Sequence, residues 1–491
     1  MNKHHVVFIS TPSFGNLLPT IQFARHLTHR DPRLSATLLI ITVPQRTIVN
    51  SYIQSLSSSV TDVNFIYLPS VQPPSPDQCQ SFLGYLSLVL DKHKVHVKHV
   101  ISELMSSSTR STLAGLFVDM FTTSMIDVAK QLGIPCYLFF ASPASFLGFM
   151  LHLPALDTQL ATDFVDSDTG LIVPKDSAIE LIIPSFEKPL PPNMLPTSVL
   201  KRNKDGYSCY LNHARRYKET MAIVINTFLE LEPHAIDSLS VSGLPPVYPV
   251  GPILDLAGAA QWHLDGAQQD CIMKWLDEQP PSSVVFLCFG SMGSLDGPQL
   301  REIAIGLERC GHRFLWSIRE PPKGKLDLPG EHSNLAAVLP VGFLDRTAGF
   351  GLVCGWVRQV DVLAHRAIRG FVSHCGWNSI LESLWYGVPI ATWPVYAEQQ
   401  MNAFELVKEL GLGMEIRLDY REGRDLVLAE ELERGLRRLM GGEDDEVRTK
   451  VREMKSKSRV ALMENGSSYK SLGSLIQEIC GRIEGLNFED K

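Results

Sequence analysis

Between Trp356 and Gln399 the chain gathers side chains suited to holding a polar, anionic ligand. Trp356 offers a flat ring that can stack on a base, and Gln359 an amide for a nucleoside. His374, Asn378 and Ser379 supply donors over six residues, and Glu382 follows Asn378 by four. That offset puts Asn378 and Glu382 on one face of a helix, where a carboxylate can accept from two ribose hydroxyls. Glu398 and Gln399 add an acceptor and an amide for sugar hydroxyls. Neither a basic residue nor a set of Mg²⁺ ligands accompanies the turn at His374, so metal-free binding is expected.

The elements that must position these groups are legible around them. LVCGWV (Leu352 to Val357) and GFVSHCG (Gly370 to Gly376) are short apolar runs bounded by glycine, the pattern of buried parallel strands. WNSILESLWYG has apolar residues at helical spacing and stops at Gly387, and VPIATWPV is a third apolar run. Strand, turn, helix and strand make the unit of a doubly wound sheet, which binds ligands beyond the carboxyl ends of its strands. His374 to Ser379 fall there, at a helix start whose free N–H groups and positive dipole end favour a pyrophosphate. Packing alone would account for Trp377, Trp385 or His374 taken singly, and Cys375 is read as a small buried hydrophobe. It does not account for the whole set at its spacing.

The stretch from Trp356 to Gln399 resembles the signature box of plant UDP-sugar glycosyltransferases. The resemblance spans nearly the whole chain, through INTFLELE, YPVGP, CIMKWLDEQPPSSVVFLCFGSMGS, FLWSIR and LPVGFLDRT. It implies an α/β fold of two facing Rossmann-like, doubly wound domains (GT-B type), with the donor cleft between them. The donor would sit mainly on the C-terminal domain and the acceptor on the N-terminal one. In that pattern Trp356 and Gln359 hold uridine, with backbone of Val357 on the base. Glu382 holds the ribose, His374, Asn378 and Ser379 the phosphates, and Glu398 and Gln399 the sugar. Ser291 and Ser317 face the phosphates and nucleoside, and Trp377 belongs to the same donor set. The UDP-sugar is then a co-substrate and no cofactor is expected. Arg358 stands where proline is usual, and Glu398 where aspartate is commoner. The terminal Gln399 resembles glucose users.

The acceptor side departs from the resembling family. Its members carry a His in a G-H-x-x-P turn as general base, whereas this chain reads Gly15-Asn16-Leu17-Leu18-Pro19. Asn16 takes the catalytic position, and Asp119 matches the aspartate that orients the histidine. Neutral asparagine can bond a hydroxyl but cannot take its proton near neutral pH, and a missing base costs about 10²–10⁴-fold in rate. Four readings stay open. The acceptors are acidic phenols that arrive partly ionised, positioned by Asn16 with Asp119 supplying polarity or weak basicity; another histidine, His152, enters the site; the position was altered by design or in a subgroup; or the chain binds UDP-sugar without efficient transfer. Phe14, Phe121, Ser142, Phe146 and Met150 are placed toward the cleft, where the rings could sandwich a flat phenolic such as a flavonoid. Each taken alone reads as core. Transfer would be a direct displacement that inverts an α-linked donor to a β-glycoside. A nucleotide-sugar epimerase is the alternative enzyme, yet it needs acid–base carboxylates around the sugar, and only Glu398 is a clear candidate.

Length and composition set the outer bounds. A chain of 491 residues with 45% hydrophobic and 20% charged residues suits a globular protein of two or three domains. The divisions expected are an acceptor domain over 1–244, a linker over 245–261, a donor domain over 262–462, and a last helix over 463–491 that crosses back to the first domain. A net charge of −8 argues against nucleic acid or an anionic membrane as partner. Nine cysteines without CxxC pairs suggest reduced thiols and a cytoplasmic setting. The opening MNKHHVVFIS has no signal-peptide pattern, and no apolar run reaches bilayer length, so stable membrane insertion is not expected. A monomer is expected. His5 to Ser10, a glycine turn and a helix make a Rossmann-type start, but without GxGxxG no dinucleotide is indicated.

Overall fold

The computed structural model describes residues 3–43, 50–51, 53–55, 57, 60–107, 111–159, 180–256, 266–323, 328–421, 425–442 and 445–489. The first sheet is built from β1 (Lys3–Ile9), β2 (Leu34–Ile40), β3 (Asn64–Tyr67), β4 (Ser111–Asp119), β5 (Cys136–Phe140), β6 (Ile223–Ile225) and β7 (Val247–Pro249). Its order is β3-β2-β1-β4-β5-β6-β7, with every pair parallel. Both faces of β1 are covered: Val6 and Phe8 enter one apolar core while Val7 and Ile9 enter the other. The period-two alternation of side chains explains why the strand reads as one continuous apolar run.

The second sheet repeats the plan with β8 (Val284–Cys288), β9 (Arg313–Ser317), β10 (Gly351–Cys354), β11 (Ile368–Ser373), β12 (Ile390–Thr392) and β13 (Gly413–Glu415). Its order is β10-β9-β8-β11-β12-β13, all parallel. Ser373 pairs with Cys288 on one side and Thr392 on the other, and Cys354 pairs with Ser317. The strands therefore end nearly level, and the residues after them emerge together at one edge. The strand order reverses between β8 and β11, and such switch points open the crevice that α/β sheets use for ligands. The two Rossmann-like domains are of the GT-B type.

The helices that carry site residues are α1 (Phe14–Arg30), α2 (Ala144–Gln159), α3 (Asp205–Arg216), α4 (Gln359–Ala364), α5 (Trp377–Tyr386), α6 (Gln399–Phe404) and α7 (Ser467–Glu489). Helix α5 ends at Gly387 in the left-handed region (φ 76°), where glycine has no Cβ to clash. Helix α7 buries Leu472, Leu475, Ile476 and Ile479 in the core that holds Val6 and Phe8 of the first domain. Tyr248 donates to Glu478 Oε2 at 2.6 Å and Ser468 to the Gly251 carbonyl at 2.6 Å, which fasten α7 there.

Three sequence expectations differ in detail. The stretch read as linker contains β7, which stands beyond β6 at the edge of the first sheet; residues 257–261 of that stretch lie outside the described residues. Apolar spacing from Phe82 to Met105 reads as one helix, but two form, Phe82–Lys92 and Lys94–Ser107, broken at His93. His93 is fully buried, and its ring bonds the Val89 carbonyl at 2.8 Å, tying the turn back on itself. The helix expected through NAFELVKELG is α6 followed by a π-helical turn, Glu405–Glu409. Residues 157–200, Pro-rich and acidic without clean periodicity, read as a long excursion, and of these 160–179 lie outside the described residues.

Candidate active site

The donor-side residues stand at the carboxyl edge of the second sheet. Gln359, at the start of α4, donates from Nε2 to Ser379 Oγ (2.8 Å) and to Glu382 Oε2 (2.6 Å). Burial pushes the Glu382 carboxyl up to about 7; the bond from Gln359 opposes the shift and the negative charge of Asp255 adds to it. His374 is 6% exposed and neutral, with its pKa driven down to about 4 by burial. Its Nε2 is pressed between two glycines: a Cβ on Gly290 would stand 2.4 Å from it and one on Gly376 2.6 Å. Gly290 also has φ +77°, so both its conformation and its contact require glycine. His374 Nδ1 is buried without a partner among the described residues, as is Asn378 Oδ1.

Trp356 follows β10, and its N–H donates to Glu331 Oε1 at 3.2 Å. The Arg319 guanidinium lies 5.0 Å from its ring centre, within cation–π range. Phe14 of the other domain lies 6.3 Å from it. Ser317 donates to the Gly355 carbonyl at 2.7 Å, steadying the turn that presents Trp356 and buried Val357. Ser291 is half-buried in the turn after Gly290. Gln399 is 2% exposed, and its Oε1 accepts from the N–H groups of Val395 and Tyr396 at 2.9 Å each. Its carbonyl end therefore shapes its own loop. Trp377 is 3% exposed and donates from Nε1 to the Asn226 carbonyl of the first domain at 2.7 Å. Its indole faces the domain contact rather than the cluster around Gln359.

The acceptor turn meets this site directly: Asn378 Nδ2 donates to the Gly15 carbonyl at 3.2 Å. Asp119, at the end of β4, is 3% exposed. Its Oδ2 accepts from Ser10 Oγ (3.0 Å) and the Thr11 N–H. Its Oδ1 accepts from Thr11 Oγ1 (2.9 Å) and from the N–H groups of Phe121 and Thr122 (3.0 Å each). Burial raises its pKa while these bonds hold it back. The half-buried Asn16 side chain makes no hydrogen bond among the described residues, with Asp119 or any other group. His152 is half-buried on α2 and bonds neither Asn16 nor Asp119.

Ser142 reaches across the domains and donates to Glu398 Oε1 at 3.3 Å; burial raises the pKa of that glutamate. Phe146 and Met150 are fully buried, Phe146 against Phe140, Phe149 and Tyr210. Phe121 packs edge-on against Tyr210 (5.9 Å) and His213 (5.6 Å). Tyr210 of α3, 4% exposed, was not singled out in the sequence; its hydroxyl has no bond among the described residues and feels the Glu398 charge. Arg319 and Asp255 were also missed. Arg319 ends FLWSIR two residues after Ser317, a signal that was available; Asp255 lay in a stretch read only as linker. Among the described residues no group of three His, Cys, Asp or Glu could hold a metal ion, and no helix is long and apolar enough to cross a membrane.

Two facing Rossmann-like domains, with polar groups converging where a helix N-terminus meets the opposite domain, define a nucleotide-sugar transferase of the GT-B class. Residues 255–435 match the family profile of UDP-glucoronosyl and UDP-glucosyl transferase. Over 98% of its length the chain is 56% identical to all of UDP-glycosyltransferase 43 from Pueraria montana var. lobata. It is 47% identical to a putative UDP-glucose flavonoid 3-O-glucosyltransferase from Fragaria ananassa, over 96% of this chain and 99% of that one. The crystal structure of a UGT from Medicago truncatula complexed with UDP-glucose superposes with a TM-score of 0.87 at 44% identity, covering 97% of this chain and 98% of that one. The chain belongs to the UDP-glucoronosyl and UDP-glucosyl transferase family, and within it to the plant UDP-glycosyltransferases. Its UDP-sugar is a co-substrate.

Proposed function

We propose that the protein transfers glucose from UDP-glucose to an acidic hydroxyl of a flat phenolic acceptor of the flavonoid type, and that the acceptor supplies its own ionisation. The carrying observation is that the Asn16 side chain has no partner among the described residues while the two oxygens of Asp119 already accept five hydrogen bonds. Neither residue is a free base, so a phenolate is the nucleophile that fits. The flavonoid glucosyltransferase names borne by the Fragaria relatives and the UDP-glucose held by the Medicago structure support the two substrates.

In this reading Trp356 stacks on uracil, Gln359 bonds the nucleoside and Glu382 accepts from the ribose hydroxyls. The α5 N-terminus with His374, Asn378 and Ser379 holds the diphosphate, and Glu398 and Gln399 hold the glucose. The phenolate oxygen, positioned by the Asn16 amide, forms a bond to the anomeric carbon as the bond to the UDP oxygen breaks. The negative charge passes to the diphosphate, where the helix end and the unpaired His374 nitrogen stabilise it. The configuration inverts from α to β. Because the attacking oxygen arrives deprotonated, no proton need be removed at the turn.

The test is product formation by mass spectrometry with UDP-glucose against phenols of graded acidity and aliphatic alcohols, for the unmodified chain and Asn16→His. β-Glucosides from the acidic phenols, and none from the alcohols, are expected from the unmodified chain. No product from any acceptor, with turnover appearing only in Asn16→His, would instead make the chain a donor-binding protein without efficient transfer.

A further inference from the structure

Two carboxyl groups outside the site just described meet at the boundary between the domains. Glu232, after β6, is 1% exposed, and Glu405, directly after α6, is 2% exposed. Glu232 accepts from the N–H groups of Ala144 (3.1 Å) and Ser145 (2.9 Å), the first residues of α2. Glu405 Oε2 accepts from the Ser145 hydroxyl at 2.7 Å. Both carboxyls thus converge on Ser145, one at its N–H and the other at its hydroxyl, and two like charges so close in a buried place favour a proton on one of them. Neither makes an ion pair among the described residues.

The position of the pair gives it a task. Helix α2 carries Phe146 and Met150 of the acceptor side, and α6 begins at Gln399, just after Glu398, on the sugar side. Ser142–Glu398 ties the start of α2 to the front of α6, and Ser145–Glu405 ties it to the back. The back tie falls in a π-helical turn, a distortion often found at functional sites. We propose that Glu232 and Glu405 share one proton and act as positioning residues, registering the acceptor-lining helix α2 against the sugar-binding end of the donor domain.

Electrostatics say where the proton sits and when it leaves. Glu232 faces the N–H groups of a helix start, which favours its charged form. Glu405 faces that charge in a buried place, and desolvation and the Glu232 charge hold its pKa well above the usual carboxylate range. The charged neighbours on the packed elements are Glu409, one turn on, and beyond it Glu187, Lys188 and His234 around Glu409; Thr227 stands beside Glu232. Since the pKa of Glu405 is raised in the folded protein, its contribution is full below the ordinary glutamate range. It is lost as pH rises through the raised value. At alkaline pH two adjacent buried charges would push α2 and α6 apart.

The experiment compares the unmodified chain with Glu405→Gln, whose amide is a permanent donor to Glu232, and with Glu232→Gln. Melting temperature is followed from pH 6 upward, and KM is measured separately for acceptor and UDP-glucose. In the unmodified chain the melting temperature should fall toward alkaline pH and the acceptor KM rise by about threefold or more, as a small misplacement of α2 would give. The UDP-glucose KM should hold steady, and both variants should flatten the melting and acceptor profiles. Superimposable profiles for the three proteins would overturn the proposal, as would parallel changes in both KM values. The kinetic arm rests on the proposed phenolic acceptor. Melting and amide exchange at Ala144 and Ser145 in the unmodified chain do not, so they decide the proton pair even if no acceptor is glucosylated. Exchange there that accelerates with pH no faster than in the first turn of α5 would also overturn it.

Discussion

On the donor side of the cleft, Gln359 bonds both Ser379 and Glu382, and His374 is clamped between glycines with one nitrogen unpaired among the described residues. On the acceptor side, Asp119 is saturated by Ser10, Thr11, Phe121 and Thr122, and the Asn16 side chain makes no hydrogen bond among the described residues. In the proposed reading, the donor side spends its rigidity on groups that would meet an anion, which suits stabilising charge on a leaving diphosphate. The acceptor side uses an equally rigid carboxylate to hold its own turn. The contrast teaches that preorganisation alone does not identify a catalytic group; what matters is whether capacity is left over for the substrate.

The comparison can be broken first at Gly290. Gly290→Ala puts a Cβ where His374 Nε2 stands, at a positive φ, and kcat/KM should fall about 10²-fold. A nearly normal UDP-glucose titration by calorimetry would contradict the clamp. Asn16→His should raise the rate on weakly acidic phenols at neutral pH by about 10²-fold, the low end for a general base, because Asp119 has little capacity left to orient the new ring. Steady-state kinetics with phenols of graded acidity check this. Asp119→Asn replaces an oxygen with a donor amid existing donors, and should cost about 1–3 kcal/mol in denaturant unfolding. If transfer proceeds without a base, as proposed, its effect on the rate should be no larger than that loss of order implies.

Smaller effects sharpen the donor side. The Glu382 carboxyl, raised to about 7 by burial, is charged above that pH and protonated below it. The UDP-glucose KM should therefore rise as pH falls from 8 to 6, by at most about tenfold per unit. Glu382→Gln should remove the slope. Trp377→Phe loses only the bond to the Asn226 carbonyl. A shift of about 1 kcal/mol in stability, with an unchanged UDP-glucose KM, is expected.

Apolar runs such as HVVFI and VVFLC made both parallel sheets legible, because strands buried on two faces leave no polar alternation to confuse the reading. Val247–Pro249 was not legible as β7: three residues among prolines carry the composition of a linker. The break at His93 was hidden because apolar spacing continues across it. At the site, the fixed offsets from Trp356 to Gln399 marked residues that the fold gathers at the carboxyl edge of the second sheet, but not which of them bond one another. The folding of the Gln399 carbonyl onto its own loop and the turn of Trp377 toward the other domain depend on contacts no local spacing encodes. Tyr210 and the Glu232–Glu405 pair were beyond reach for the same reason, since their partners lie far away in sequence.

The most direct test of baseless transfer is the pH dependence of kcat/KM for one phenol whose own pKa lies well above neutral, in the unmodified chain and in Asn16→His. With the phenol as sole source of its oxyanion, the unmodified rate should climb about tenfold per pH unit up to the pKa of the phenol. Asn16→His should level off near the imidazole range. A plateau near neutral pH in the unmodified chain would mean that a protein group takes the proton, and would contradict the account.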